Sequence, residues 1–213
     1  MRITKLGHCC LLIEHKGVRI LTDPGAFSTA QTTLKNIDLI LITHEHVDHI
    51  HIESLKEVLK GNPKAIIRTN SGVGKLLDKE GLTYQLLTHG QSATIKDILF
   101  EGFGTKHEDI YPTVPIVENT GYLIDEYLFY PGDAFTIPAK KVILLALPVE
   151  GPWMKLSEAI DYAKKITPKT CFPVHDGRMR KERTGANYTV IQAALEQEGI
   201  TFIPIEEMKA YEL

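Results

Sequence analysis

The segment Thr43-His44-Glu45-His46-Val47-Asp48-His49-Ile50 places three imidazoles and the carboxylate of Asp48 within six consecutive residues. It follows an apolar run from Ile37 to Ile42, broken only by Asp38, which predicts a buried strand. Neutral imidazole nitrogens and carboxylate oxygens gathered at a strand end suit zinc or a similar first-row ion. Residues two apart in an extended chain share a face, so His44, His46 and Asp48 point the same way and His49 does not. A turn would bring His49 round. One is expected here, because Ile52, Leu55, Val58 and Leu59 recur at helical spacing and Gly61 stops that helix. Strand, turn and helix then direct His44 and His46 toward one ion, and Asp48 and His49 toward a second. The competing reading is a His-rich exposed loop, or histidines hydrogen-bonded for structure. The position at a strand end argues against it.

Other donors stand at similar places. Asp23 ends the apolar segment Val18-Arg19-Ile20-Leu21-Thr22 and precedes Pro24-Gly25, a turn signal. His107 comes just after the strand-like run Ile98 to Phe103, whereas its rival His89 begins a turn at Thr88-His89-Gly90. Asp133 ends Tyr130-Pro131-Gly132-Asp133, and His175 follows the short strand pattern Lys169 to Val174. The ordered set H-x-H-x-D-H, with an aspartate before it and a histidine, an aspartate and a histidine after it, resembles the signature of the metallo-β-lactamase superfamily. The matched motifs run from Asp23 to His175, and the flanking strand patterns fit as well.

The resemblance implies an α+β fold, a four-layer αββα sandwich, and two divalent metal ions. It assigns His44, His46 and His107 to the first ion and Asp48, His49 and His175 to the second, with Asp133 bridging. Asp23 is then the group behind the ligands that accepts a proton from a liganding histidine and fixes its tautomer. His8, His15 and His51 match no ligand position and are expected to be structural or solvated. The implied activity is hydrolysis of a small ester, lactone or phosphoester by a hydroxide bridging the ions, with Asp48 also orienting the nucleophile or relaying a proton. Zn2+ suits the three-imidazole position, and Mn2+ or Fe could enter the second. His46 stands where di-iron oxygen-reducing relatives usually carry Glu, which favours hydrolysis over redox chemistry. Asp133 is absent from the lactamases proper, so β-lactam hydrolysis is disfavoured. The compact branch similar to L-ascorbate-6-phosphate lactonase fits best, although Glu150-Gly151-Pro152-Trp153 and Asp176-Gly177 depart from its usual pattern. The alternatives are a non-catalytic metal-binding sensor or partner-binding protein on the same scaffold, and a di-iron redox protein.

The remaining elements predict two sheet-plus-helix halves in a single domain spanning residues 1–213. Hairpins are expected around His15-Lys16-Gly17 and Asp125-Glu126, and further strands at Ala65 to Ile67 and Val142 to Leu147. Helices are expected from Ser71 to Lys79, over Leu156 to Ala163 before Pro168, and from about Asn187 to Glu198. The net charge of −3 makes no electrostatic case for nucleic acid or a membrane surface. No apolar run approaches the roughly 20 residues needed to span a bilayer. Cys9, Cys10 and Cys171 make no disulfide framework, and the start Met1-Arg2-Ile3-Thr4-Lys5 shows no long apolar signal core. A cytoplasmic location with reduced thiols is the expectation. Arg178, Arg180, Lys181 and Arg183 crowd behind His175 and could clamp an anionic small-molecule substrate, or simply be a solvated charged face. Trp153 and Tyr111 could line the pocket or pack in the core.

Overall fold

The computed structural model describes the backbone of residues 1–213 and the side chains of all of them except Lys181, so that member of the cationic group lies outside the described side chains. The first sheet contains β1 (Arg2–Gly7), β2 (Cys10–His15), β3 (Val18–Thr22), β4 (Leu39–Leu41), β5 (Ile66–Thr69) and β6 (Gln85–Leu86). The second contains β7 (Ser92–Ile95), β8 (Ile98–Phe103), β9 (Gly121–Ile124), β10 (Leu128–Tyr130), β11 (Leu144–Pro148), β12 (Thr170–Val174) and β13 (Thr201–Phe202). The last strand, β14 (Ala210–Glu212), returns to the first sheet, which is ordered β14-β1-β2-β3-β4-β5-β6 against β13-β12-β11-β10-β9-β8-β7. Each sheet is antiparallel where it begins and parallel from β3 to β6 and from β10 to β13, with helices in most but not all of the parallel crossovers.

Three apolar layers hold these elements together. Between the sheets, Leu11, Ile13, Ile20, Leu39 and Leu41 meet Phe100, Tyr122, Tyr130, Ala146 and Phe172. Their sequence neighbours, Cys10, Leu12, Leu21, Ile40 and Ile42, face outward against α1 (Ile52–Gly61) and α2 (Ser71–Lys79). On the opposite side, Leu123, Phe129, Leu145 and Leu147 pack on α3 (Leu156–Ile166) and α4 (Lys181–Glu196). A strand buried on both faces has no polar face to alternate with, which is why β4 and β11 read as continuous apolar runs. The result is the expected αββα order of layers.

Local chemistry sets the element ends. Asp125 and Glu126 both take positive φ, +54° and +52°, as a two-residue hairpin turn requires. Asn70 caps α2 by accepting from the Val73 N–H. Helix α3 stops at Thr167, which has φ +52°, immediately before Pro168. Two expectations shift. The strand after Ile37 is only Leu39–Leu41, because the Ile37 N–H is taken by the Asn62 side chain and Asp38 accepts from the Arg19 N–H. Helix α4 begins at Lys181 rather than Asn187. Gly185 discourages an earlier start in sequence terms at a cost of about 1 kcal/mol, and the chain tolerates it.

The inter-sheet layer gathers more fully buried residues than either outer layer. Phe100 is wholly buried in it, in the middle of β8. Phe100→Ala should lower unfolding free energy by about 3–5 kcal/mol, measured by urea denaturation; a loss under about 1 kcal/mol would contradict this packing.

Candidate metal centre

The functional candidates sit where strands from both sheets end on one side of the sandwich. Asp23 follows β3, His44 to His49 follow β4, and His107 follows β8. Asp133 follows β10 and His175 follows β12. The carboxyl ends of parallel strands are the general location of ligand sites in such sheets. The chain makes a tight passage here: a Cβ on Gly25 would lie 1.8 Å from the Asp48 carbonyl oxygen, so only glycine lets the Asp23 turn cross the histidine loop.

All seven sequence-predicted donors are brought together. His44 Nε2 lies 3.1 Å from His46 Nδ1, and the His107 ring centroid is 4.9 Å from that of His44. His49 Nε2 lies 3.1 Å from Asp133 Oδ1. His175 Nε2 lies 2.9 Å from Asp133 Oδ2 and 3.6 Å from Asp48 Oδ2. Asp133 Oδ2 also faces His107 Nε2 at 3.4 Å and His44 Nε2 at 3.9 Å. Ligand atoms of His44, His46 and His107 fall within 4.8 Å of one another, as do those of His44, His49 and Asp133.

The tautomers show which atoms are free to bind. His49 donates from Nδ1 to Asp23 Oδ2 at 2.7 Å. His107 donates from Nδ1 to the Glu108 carbonyl at 2.6 Å. Thr43 donates its hydroxyl to Asp23 Oδ2 at 2.8 Å and so accepts from His44 Nδ1 at 3.0 Å. Each of these rings therefore points Nε2 inward, where its neutral form offers a lone pair, the arrangement of metal-ligating histidines. The inward atoms His49 Nε2, His107 Nε2, His175 Nε2 and Asp133 Oδ1 are buried without a hydrogen-bond partner. Buried polar atoms are normally satisfied, and these face one another at ligand spacing. A divalent ion fits that donor set.

Asp23 is the hub behind the ligands. Its Oδ2 also accepts from the Tyr130 hydroxyl at 2.7 Å, and its Oδ1 accepts from the Thr43 N–H at 2.8 Å. Asp23, His8 and His175 hold left-handed backbone, with φ of +37°, +46° and +63°. Such strain costs on the order of 1–3 kcal/mol per residue and gathers at functional sites.

Of the remaining candidates, Trp153 is buried and donates from Nε1 to Asp133 Oδ2 at 3.0 Å, while Tyr111 is 66% exposed. His89 is exposed and accepts the Gly104 N–H, away from the cluster. His15 pairs with Asp125, and His51 caps α1. Of the two expectations for His8, solvated is excluded and structural stands, but at the site itself: it is 1% exposed and its Nε2 meets Asp48 Oδ2 at 3.2 Å. It is two residues after Leu6, where β1 turns into β2, and no motif marks it. A cleft of about 260 Å³ opens over the cluster, lined in part by Val47, Ile110, Glu150, Pro152, Trp153 and Arg178. Arg178 borders it, its guanidinium 5.4 Å from the Phe27 ring centre; Arg180 and Arg183 do not.

Charge is divided unevenly in the metal-free chain. Burial, reinforced by the charge on His49, drops His44 well below its ordinary value and keeps it neutral. Burial pulls His49 and His175 the same way, but Asp133 beside them lifts both well above theirs. Burial would raise Asp133 and Asp48, yet His49 and His175 hold Asp133 well below the carboxylate range. Hydrogen bonds from His175 and His8 do the same for Asp48. Asp133 thus favours a proton on His49 and His175, and a cation bound there must displace it. Metal uptake should release protons at pH 7 and weaken as pH falls. Calorimetric titration in buffers of different ionisation enthalpy reads this directly, and a buffer-independent heat would contradict it.

Comparison with known proteins follows the same lines. Residues 2–175 match the model of the β-lactamase superfamily domain. Protein Rv0786c of Mycobacterium tuberculosis is 33% identical over 215 residues, covering 95% of this chain and 100% of that one. A UPF0173 metal-dependent hydrolase of Koribacter versatilis is 26% identical over 200 residues, covering 83% and 84%. The solved structure of Igni18, a metallo hydrolase from the archaeon Ignicoccus hospitalis, superposes with a TM-score of 0.76 at 21% identity, covering 100% of this chain and 98% of that one. With the domain model matched over most of its length and the αββα sandwich in place, the chain belongs to the metallo-β-lactamase superfamily.

Proposed function

We propose that this protein is a two-ion hydrolase of small anionic esters, lactones or phosphoesters. One observation carries the reading: the Asp133 carboxylate lies within 4 Å of His44, His49, His107 and His175, so it touches imidazoles of both ligand sets. His44, His46 and His107 would hold one ion, and Asp48, His49 and His175 the other, with Asp133 shared. Zinc suits these nitrogen and oxygen donors, and manganese or iron is compatible with the more carboxylate-rich position. Bound ions of this kind supply a Lewis acid and lower the pKa of water from ~15.7 to about 7. The Koribacter versatilis relative is named a metal-dependent hydrolase, which supports the same class.

The chain's own groups divide the remaining tasks. Asp48 is the more exposed of the two inward carboxylates, 17% against 4% for its side chain, and stands at the mouth of the cluster. It can accept a proton from an attacking water and return it to a leaving oxygen. Val47, Ile110, Pro152 and Trp153 give the cleft an apolar wall, and Arg178 places a guanidinium at its edge. A small substrate with an apolar body and a carboxylate or phosphate fits this mouth. An anionic group for Arg178 and a ring for the apolar wall make phosphorylated lactones reasonable first compounds to try.

Three outcomes test the reading. Purified protein analysed for metals should hold two divalent ions per chain, and a screen of lactones, phosphodiesters and phosphomonoesters should find turnover that chelation abolishes. Two iron ions with oxygen reduction would point to redox chemistry instead. Asp48→Ala should cut kcat for the best substrate by about 10²–10⁴. Arg178→Ala should raise KM for an anionic substrate about tenfold, one hydrogen bond to a charged group being worth about 1.5–3 kcal/mol. Arg180→Ala should leave KM unchanged. Equal kinetics for Arg178→Ala and the parent would remove that residue from the pocket.

A further inference from the structure

His8 faces the cluster from the end of β1 but belongs to neither ligand set. Four contacts converge on it. The Gly177 N–H donates to its Nδ1 at 3.2 Å, and its Nε2 meets Asp48 Oδ2 at 3.2 Å. Its carbonyl oxygen accepts from the His175 N–H at 3.2 Å, and its ring centroid lies 4.1 Å from that of His175. The approach is close enough that a Cβ on Gly177 would lie 3.0 Å from His8 Cβ and 3.1 Å from His8 Cα. The backbone of His8 is held at φ +46° to make these contacts.

These partners settle the proton's place. A ring nitrogen that accepts from a backbone N–H carries no proton, so Nδ1 is bare and the proton of the neutral ring is on Nε2. Nε2–H therefore donates to Asp48 Oδ2. Nδ1 spends its lone pair on Gly177, and Nε2 has none to offer. His8, Cys9, His49 and His175 place potential ligand atoms within 4.8 Å of one another, yet His8 has no lone pair left for a cation.

We propose that His8 is a positioning residue for the second ion: it aims Asp48 through Nε2–H and fixes the backbone and ring of His175, without being a ligand itself. The inference rests on the two-ion reading above. One residue of the β1–β2 turn thereby ties together the loop after β4, which supplies Asp48 and His49 to that ion, and the loop after β12, which supplies His175. Groups that orient ligands in this way are typically worth about 10- to 100-fold in metal affinity.

The test uses the full chain, stripped of metal and titrated calorimetrically with zinc. The parent should take up two ions. His8→Phe, which keeps a ring but no hydrogen bonds, should keep the first affinity and weaken the second about 10- to 100-fold. His8→Gln places an amide N–H near the position of Nε2 and should recover most of that loss. Unchanged second-ion affinity in His8→Phe would overturn the inference, and His8→Gln behaving like His8→Phe would overturn the donor role. Imidazole 15N spectra of the parent supply a reading that needs no variant to fold. His8 should show a protonated Nε2 and a bare Nδ1 both before and after zinc, and a ring nitrogen shifted by zinc coordination would overturn the assignment. A parent that takes up fewer than two ions would instead defeat the two-ion reading underneath.

Discussion

One buried carboxylate makes the rest of this architecture possible. Asp133 is 2% exposed and lies within 4 Å of four imidazoles contributed by three separate strand ends. Bringing those rings together without a central anion would leave inward lone pairs crowded against one another. With Asp133 in place, its charge favours the protonated forms of His49 and His175 against the effect of burial. The loop that carries Asp133 is fixed in turn: its N–H donates to Asn119 Oδ1, and its carbonyl accepts from the Glu108 N–H. Glu108 also accepts the His107 Nδ1 proton on its own carbonyl, so the third histidine and the central carboxylate move as one unit.

Packing and site chemistry meet at the tyrosines of the inter-sheet core. Tyr122 and Tyr130 bury their rings among aliphatic side chains and send their hydroxyls to the site end. Tyr122 donates to the Ile42 carbonyl just before the histidine loop, and Tyr130 donates to Asp23. The second sheet thus grips the loops of the first through polar tips on otherwise apolar residues. That grip offsets the strained backbone of Asp23, His8 and His175, because strain persists only where the surroundings over-determine it.

The parts of this design differ in how openly the sequence displays them. The loop from His44 to His49 is legible alone, since ligand-type residues cluster within one turn after an apolar strand. Asp23, His107, Asp133 and His175 are each ambiguous singly and gain meaning from their order along the chain. Strands such as β4 and β11 are legible as apolar runs, but their ends are not, because side chains far away in sequence, such as Asn62 at Ile37, compete for the backbone. Among its described residues, helix α4 fully encloses just the aliphatic pair Ile191 and Leu195, so its periodicity is weak and its start obscure. His8 is the clearest omission. Its partners lie 40 residues away at Asp48 and 169 residues away at Gly177, and no local pattern encodes contacts of that range.

The donor cluster and the wall of the cleft are built from different parts of the chain. The ligands leave strand ends and are braced by core residues, whereas Ile110, Glu150, Pro152 and Arg178 on the cleft wall sit on connecting segments. Loops of this kind vary without disturbing a sheet core, which lets one metal scaffold serve many substrates. Trp153 crosses that division. Its indole N–H is committed to Asp133 Oδ2, and its ring packs edge-on to His107 and His175 while lining the cleft. Gly151 gives it room, since a Cβ there would lie 2.6 Å from Nε1. A ligand pressing on the indole therefore presses on the central carboxylate's hydrogen bond. The wall of the cleft and the hydrogen bonding of the central carboxylate thus share a single side chain.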